Sequence, residues 1–301
     1  MVTRSLVTGG AGFIGSNLAL ELEKLGHHVV IADNFHSADK KNLKDFQGRL
    51  ISWDVSEGIE VQERFDVIFH QAAITDPRHP DDEETLKKNV EGFKRIIKLA
   101  ERDGAKIIYA STAGLYGNGP VPMREEQKKD LLTVYGKSKL QMDEMAEPLF
   151  SQSHIVGLRY FNVFGPREAH KGRPASMIYH LYHQMKLGNR PRIFSWGEQV
   201  RDFIYVKDVV TANLKALEAP SGVYNVATGV GTSFNELIKI LNEVLGTQLD
   251  PDYFPMPYDP KTYQSNTQGD TTLAETKLGF KSQWGLKEAI QDYFKWLQIN
   301  D

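Results

Sequence analysis

The chain has 301 residues, of which 41% are hydrophobic and 25% charged, with a net charge of -3 and no cysteine. That length holds a sizeable core in one large domain or two smaller ones. Lysine and arginine interspersed among acids offer no basic stripe to nucleic acid, and the lack of cysteine excludes disulfides, thiolate zinc sites and cysteine nucleophiles together.

Met1-Val2-Thr3-Arg4 leads straight into a short apolar strand at 5–8 with no leader-like stretch, and no apolar run reaches membrane-spanning length. A cytoplasmic protein outside the membrane is expected. After the strand come Gly9-Gly10-Ala11-Gly12-Phe13-Ile14-Gly15 and a helical pattern carrying Leu18, Leu22 and Leu25. Glycines at 9, 12 and 15 let a backbone turn tightly and approach a pyrophosphate, whose charge is met by amides at the helix N-terminus. A second strand, 28–32, ends in Asp33, followed by Asn34. An acid at this spacing accepts hydrogen bonds from both ribose hydroxyls and repels a 2′-phosphate, so NAD is expected. Lys40 and Lys41 follow on a loop, either to meet a 2′-phosphate or to stand in solvent, and they keep NADP open.

Strand and helix signals then alternate. Residues 50–53 end in Asp54-Val55, residues 65–69 end in His70-Gln71-Ala72-Ala73, and a helix spans 82–103. Alternation of this kind predicts an α/β fold, a doubly wound parallel sheet of the Rossmann type, here with a smaller C-terminal substrate-binding domain. Ligands of such sheets bind at the carboxyl ends of the strands, where Asp33, Asp54, Val55, Gln71, Ala72 and Ala73 fall. Asn89, on the 82–103 helix, either faces solvent or ties part of the site together. The strand 106–110 delivers Ser111 to the same side.

The two sites are expected to meet at Val134-Tyr135-Gly136-Lys137-Ser138-Lys139. Tyr135 and Lys139 stand one helical turn apart on one face. An ammonium beside a phenol favours the phenolate, which gives Tyr135 the means to remove a proton. Gly136 costs a helix roughly 1 kcal/mol against alanine, a cost that a closely approaching ligand explains better than packing does. Taken alone, the spacing describes an ordinary amphipathic helix with a snorkelling lysine more often than a site.

The apolar strand beginning at 155 runs into Asn162, Val163, Gly165 and Pro166, a turn into the substrate region. Residues 168–176 are polar and loop-like and precede a helix carrying His180, with a charged surface loop as the blander account. Arg192 with Phe194, and Arg201 with Phe203, put cations beside aromatics, a combination suited to a diphosphate and a base. Solvated arginines are the alternative for either alone. Residues 203–217 and 222–228 read as strand, helix and strand returning to the first domain. The domains expected are 1–165 with 203–228 for the dinucleotide, and 166–202 with 229–301 for the substrate.

In order and spacing along the whole chain, the glycine loop, Asp33, Ser111 and Tyr135-x-x-x-Lys139 resemble the extended short-chain dehydrogenase/reductase family of nucleotide-sugar epimerases and dehydratases. The resemblance implies a bound NAD(P) that takes and returns hydride. It places Ser111 and Tyr135 on the reacting hydroxyl, and Lys139 on the nicotinamide ribose, where it lowers the tyrosine pKa. It adds Phe13, Ile14, Asn89 and Val163 to the cofactor site and implies a homo-oligomer. Residues 160–172 with His170-Lys171-Gly172, together with Ala175-Ser176, His180-Leu181, Tyr263-Gln264 and Thr267-Gln268, resemble the ADP-glycero-manno-heptose 6-epimerases within that family. This implies Lys171 as a second acid/base across the substrate from Tyr135. It also implies Asn162, His180, Phe194, Arg201 and Tyr263 as contacts of the nucleotide sugar, and Arg173 is expected beside them. Arg173-Pro174 and Ile74-Thr75-Asp76 depart from the smaller, serine- and threonine-containing runs of that group, which leaves the exact sugar open.

The reaction expected is inversion at carbon 6 of an ADP-heptose through a transient ketone with recycled NAD(P). The runner-up is a UDP-hexose 4-epimerase, which uses the tyrosine alone. A 4,6-dehydratase is disfavoured because Thr112-Ala113 follows Ser111 where an acid is expected, and a non-catalytic cofactor sensor is disfavoured by the intact serine, tyrosine and lysine. No metal site is expected from the nine scattered histidines.

Overall fold

Leu6 and Val7 are neighbours on strand β1 (Arg4–Thr8), both fully buried, yet they belong to different apolar layers. Successive side chains of a strand point to opposite faces, so the sheet around them is covered on both sides. The computed structural model describes residues 2–58, 61–76, 79–259, 261 and 263–300, and Met1 lies outside them.

In chain order the first half contains α1 (Phe13–Lys24), β2 (His28–Asp33), β3 (Arg49–Ser52), β4 (Val67–His70), α2 (Asp82–Asp103), β5 (Lys106–Thr112), α3 (Val134–Ala146) and β6 (Ile155–Tyr160). The second half contains β7 (Asn162–Phe164), α4 (Met177–Lys186), β8 (Arg192–Phe194), β9 (Val200–Arg201), β10 (Phe203–Tyr205), α5 (Val206–Lys215) and β11 (Gly222–Val226). Then come β12 (Thr232–Ser233), α6 (Phe234–Leu245), β13 (Asp252–Phe254) and α7 (Leu286–Asn300). Seven strands form one parallel sheet in the order β11-β6-β5-β4-β1-β2-β3. The strand order reverses between β1 and β4, which opens a crevice at their carboxyl ends.

One face of this sheet packs Leu6, Val30 and Ile107 against Phe93, Ile96 and Leu99 of α2 and Met142 of α3. The other packs Val7, Ile31 and Ile108 against Leu18 and Leu22 of α1 and Val209 of α5. α2 starts where the Asp81 side chain accepts from the Glu84 amide at 2.8 Å and stops at Gly104, whose φ of +69° suits glycine. A third apolar cluster joins Leu181 and Met185 of α4, Leu237 and Leu241 of α6, and Ile290 and Phe294 of α7. Each such side chain contributes about 1.5–3 kcal/mol by leaving water. Among the described residues, no helix is long and apolar enough to cross a membrane.

Four expectations change. Leu25 is 56% exposed because α1 ends at Lys24 and leaves it past the apolar stripe. The strand beginning at 155 is two strands: β6 stays in the central sheet, while β7 pairs with β10 in a separate two-stranded sheet, Asn162 opposite Phe203. Of the 203–228 segment, α5 packs on α1, and only β11 enters the central sheet, beside β6. The 168–176 stretch is no mere charged surface loop, since Glu168 within it has 0% exposure.

Candidate active site

The carboxyl ends of the strands open on a cleft of about 980 Å³. Gly9 follows β1 with φ +65°, and a Cβ there would stand 2.6 Å from the Ala72 amide nitrogen. A Cβ on Gly15 would collide with the Gly9 carbonyl. Glycine alone lets this loop lie against the end of β4 and start α1 beneath the cleft. Gly12 caps α1 without a side chain, the first turn holds no acid, and Phe13, Ile14 and Gly15 line the cleft. Such an end attracts a pyrophosphate.

Asp33, at the end of β2, accepts from the Ala11 amide at 2.9 Å and the Phe35 amide at 2.8 Å. Burial pushes its carboxyl up and these amides oppose that, while the remaining lone pairs stay available to ribose hydroxyls. Asp54 accepts from Ser56, Asn34 and Lys88, at 2.6 Å, 3.0 Å and 3.2 Å from their side chains. Against burial, these bonds hold it at about 2, so it is anionic at neutral pH. Val55, Gln71, Ala72, Ala73 and Val163 line the cleft as well. Asn89 faces inward: it bonds both the amide and the carbonyl of Ile74, at 2.8 Å and 3.0 Å, and reaches Ser138 Oγ at 3.0 Å. It thereby ties the loop after β4 to α3. Glycine cradle, helix end and ribose acceptor together fit an NAD molecule.

α3 begins at Thr133, whose side chain accepts from the Gly136 amide at 3.0 Å. Tyr135 and Lys139 of this helix both line the cleft. The Lys139 ammonium is buried, donates to the Ala110 carbonyl at 2.8 Å, and lies 5.9 Å from the centre of the Tyr135 ring. Burial brings Lys139 down to about 8, with Asp143 opposing. Tyr135 is pushed up to about 12 by burial, with a hydrogen bond to Thr112 opposing. Burial is thus the largest influence on the phenol in this arrangement, with the Lys139 ammonium one helical turn away. Gly136 is corrected: it is buried, and a Cβ there would sit 3.4 Å from the Gly114 carbonyl, an ordinary packing distance rather than a ligand approach.

Ser111 lines the cleft, but its hydroxyl donates to Asp143 at 3.2 Å. The same carboxylate accepts from Tyr109 at 2.9 Å and from Arg159 at 2.9 Å and 3.0 Å. Thr112, one residue on, lines the cleft and bonds the Tyr135 hydroxyl. One step along a strand reverses the direction of the side chain, so the hydroxyl beside the phenol is that of Thr112 rather than the expected Ser111. A second hydroxyl at the same strand end was the signal available in the sequence.

Lys171 reaches the cleft from a single 3₁₀ turn, 169–171, with its amine 5.5 Å from the centre of the Phe13 ring. Part of its surface is open to the cleft and protein encloses the rest. Burial pulls its pKa down, and Glu168 and Asp76 oppose. Asn162 lines the cleft and accepts from Thr267 Oγ1 at 2.9 Å. Arg201 lines it too, but its guanidinium donates to the carbonyls of Gln264 at 2.7 Å and of Val200 and Ser265 at 2.9 Å each, rather than reaching out freely.

Arg173, His180, Phe194 and Tyr263 do not line the cleft. They build a wall running on from Arg201, which lies 5.2 Å over the Tyr263 ring. Tyr263 stacks on Tyr258 at 5.9 Å, both meet Phe194, Arg173 reaches the Tyr258 hydroxyl at 3.5 Å, and His180 contacts the Arg173 carbonyl at 3.2 Å. Sequence reasoning missed Tyr258, which sits in a proline-rich stretch without local periodicity.

The family model for the NAD dependent epimerase/dehydratase family matches residues 5–227. The chain is 39% identical over 282 residues to a Brachyspira hyodysenteriae protein named ADP-L-glycero-D-manno-heptose-6-epimerase, covering 88% of each. Its fold matches the crystal structure of the Helicobacter pylori enzyme of that name with TM-score 0.93 and 36% identity, over 99% of this chain and 96% of that one. It also matches a Thermotoga maritima UDP-glucose 4-epimerase solved with UDP-glucose, with TM-score 0.90 and 31% identity, over 98% of this chain and 99% of that one.

Proposed function

Because this chain belongs to the NAD dependent epimerase/dehydratase family, we propose that it inverts carbon 6 of an ADP-heptose through a transient ketone. The glycine loop, Asp33 and Lys139 would hold NAD, which when bound would supply a hydride acceptor able to return the hydride to the same substrate. Tyr135 takes the proton of the reacting hydroxyl. Thr112 takes the role first given to Ser111, holding that oxygen beside the phenol. The ketone then turns its other face within the cleft, and Lys171 donates a proton to its oxygen from the opposite side, so that each face has its own proton carrier. Asn162, Arg201 and the wall of Arg173, His180, Phe194 and Tyr263 receive the nucleotide and sugar.

The observation that carries this reading is that Tyr135 and Lys171, on separate elements, line one cleft. A UDP-hexose 4-epimerase remains the second reading, favoured by the likeness to the Thermotoga maritima enzyme. It needs only the tyrosine, so Lys171 separates the two. We extend the proposal to a nucleotide-binding part of 1–165 with 203–228 and a substrate part of 166–202 with 229–301, in a cytoplasmic homo-oligomer. Pure protein incubated in parallel with ADP-heptose, UDP-galactose and UDP-glucose, with carbon-specific NMR of each sugar, tests the reaction. Inversion at carbon 6 of the heptose is expected. Inversion at carbon 4 of the hexoses alone would replace this assignment with the second.

A further inference from the structure

Glu168 lies among Arg167, His170, Lys171 and Arg173, where solvent would be the ordinary place for an acid, yet its exposure is 0%. Its carboxylate accepts from the Gly165 amide at 3.1 Å, the Ser176 amide at 2.6 Å and the Ser176 hydroxyl at 2.8 Å. Burial pushes this carboxyl up, and the Ser176 and Gly165 amides, the Lys171 charge and the Ser176 hydroxyl oppose it, all favouring the ionised form. Gly165 and Ser176 are the two ends of one loop, and Ser176 is also the N-cap of α4. Lys171 stands between these ends. Its amide donates to the Glu168 carbonyl at 3.0 Å, and Gly172, with φ +58°, closes the turn by donating to the Ala169 carbonyl at 3.0 Å. Compact loops with joined ends present their middle residues as rigidly as short helices do.

We propose that Glu168 is the positioning residue for Lys171: its buried carboxylate gathers both ends of the 165–176 loop and stands as counter-charge to the amine at the middle. The proposal rests on the reading of Lys171 as the second proton carrier. The charged and titratable groups facing that amine are Glu168 and His170 on its own loop and Asp76 on the loop after β4, while α1 presents the Phe13 ring. Asp76 belongs to the Ile74-Thr75-Asp76 departure noted in the sequence, and it supplies a second negative charge from across the cleft. Burial of Lys171 favours the free amine, and the two carboxylates favour the ammonium that must donate a proton.

The test uses full-length protein saturated with NAD, as wild type, Glu168→Gln and Asp76→Asn. The first readout needs no sugar: the pH midpoint at which Lys171 reacts with an amine-acylating reagent, followed by peptide mass spectrometry. The second is kcat and KM for the nucleotide sugar across pH. Removing a neighbouring negative charge favours the neutral amine, so the midpoint is expected to fall by about one pH unit in Glu168→Gln and by less in Asp76→Asn. kcat is expected to fall roughly tenfold in Glu168→Gln, its basic limb moving to lower pH, with KM within about twofold. A folded Glu168→Gln protein with the wild-type midpoint overturns the proposal, even if turnover falls. If Glu168→Gln does not fold, Ser176→Ala keeps the charge and removes one anchor. Faster acylation of Lys171 then supports the proposal, and an unchanged rate with unchanged kcat overturns it. A shifted midpoint in a protein that converts none of the sugars supports the placement of Lys171 and overturns the epimerase reading. Turnover with an unshifted midpoint does the reverse.

Discussion

Lys139 stands on a thirteen-residue helix packed on the central sheet, whereas Lys171 stands on a single turn inside a loop, and both amines line the same cleft. The first is fixed by regular structure: its ammonium meets the end of β5, and the loop opposite is tied to its helix by Asn89. The second is fixed by a buried acid and by the side-chain bonds of Arg167 and His170 to Asn42, none of them periodic. The sheet side of the cleft thus inherits its geometry from the fold, while the loop side depends on individual side chains that a few substitutions would rearrange.

Removing one proton carrier from each side gives the largest effects and the sharpest contrast. Tyr135→Phe is expected to lower epimerase turnover by roughly 10²–10⁴-fold, and Lys171→Met by about 10²-fold, each with NAD affinity within a few-fold of wild type by titration calorimetry. Wild-type turnover in Lys171→Met would leave the tyrosine acting alone and make the loop side a binding surface only. The next contrast lies within the sheet side. Thr112→Val is expected to reduce kcat about tenfold, with little change in melting temperature. Ser111→Ala is expected to cost about 1–3 kcal/mol of stability by taking a donor from buried Asp143, with kcat nearly unchanged. Kinetic loss confined to Ser111→Ala would return the role to the serine.

The last contrast concerns Lys139 and pH. Its folded-state pKa is about 8, against an ordinary value near 10.5, so between these limits the unfolded chain binds more protons. Stability from this group therefore rises as pH climbs from about 8 to 10.5, by up to about 3 kcal/mol. Lys139→Met lacks that rise. Its melting temperature relative to wild type is expected to be highest near pH 7 and to decline across that window. A constant difference would show that the ammonium is not strained by burial.

The glycine loop, Asp33 and Asp54 were legible because backbone geometry and strand ends dictate them, and spacing carries that information, whereas Asn89, inside α2, left solvent and site equally open until its bonds to Ile74 and Ser138 were seen. Ser111 was misjudged as the residue facing Tyr135 because alternation along β5 turns on a single step, which no composition reveals. Glu168 was illegible for another reason. Its burial comes from two loop ends meeting on it, a tertiary event with no local signature. Phe194, Tyr258 and Tyr263 are likewise brought together from separate segments, so their wall exists only once the second half has folded.

β11 lies at the border of the central sheet, yet it is encoded after α4, β8, β9, β10 and α5. Until residues 222–226 leave the ribosome, β6 has one row of peptide groups with no strand to answer them. A growing chain must therefore carry an unfinished flank through more than sixty further residues of synthesis, and no single cut frees a complete seven-stranded sheet of the 166–202 segment. Gene fusion or shuffling at this fold must move both halves together.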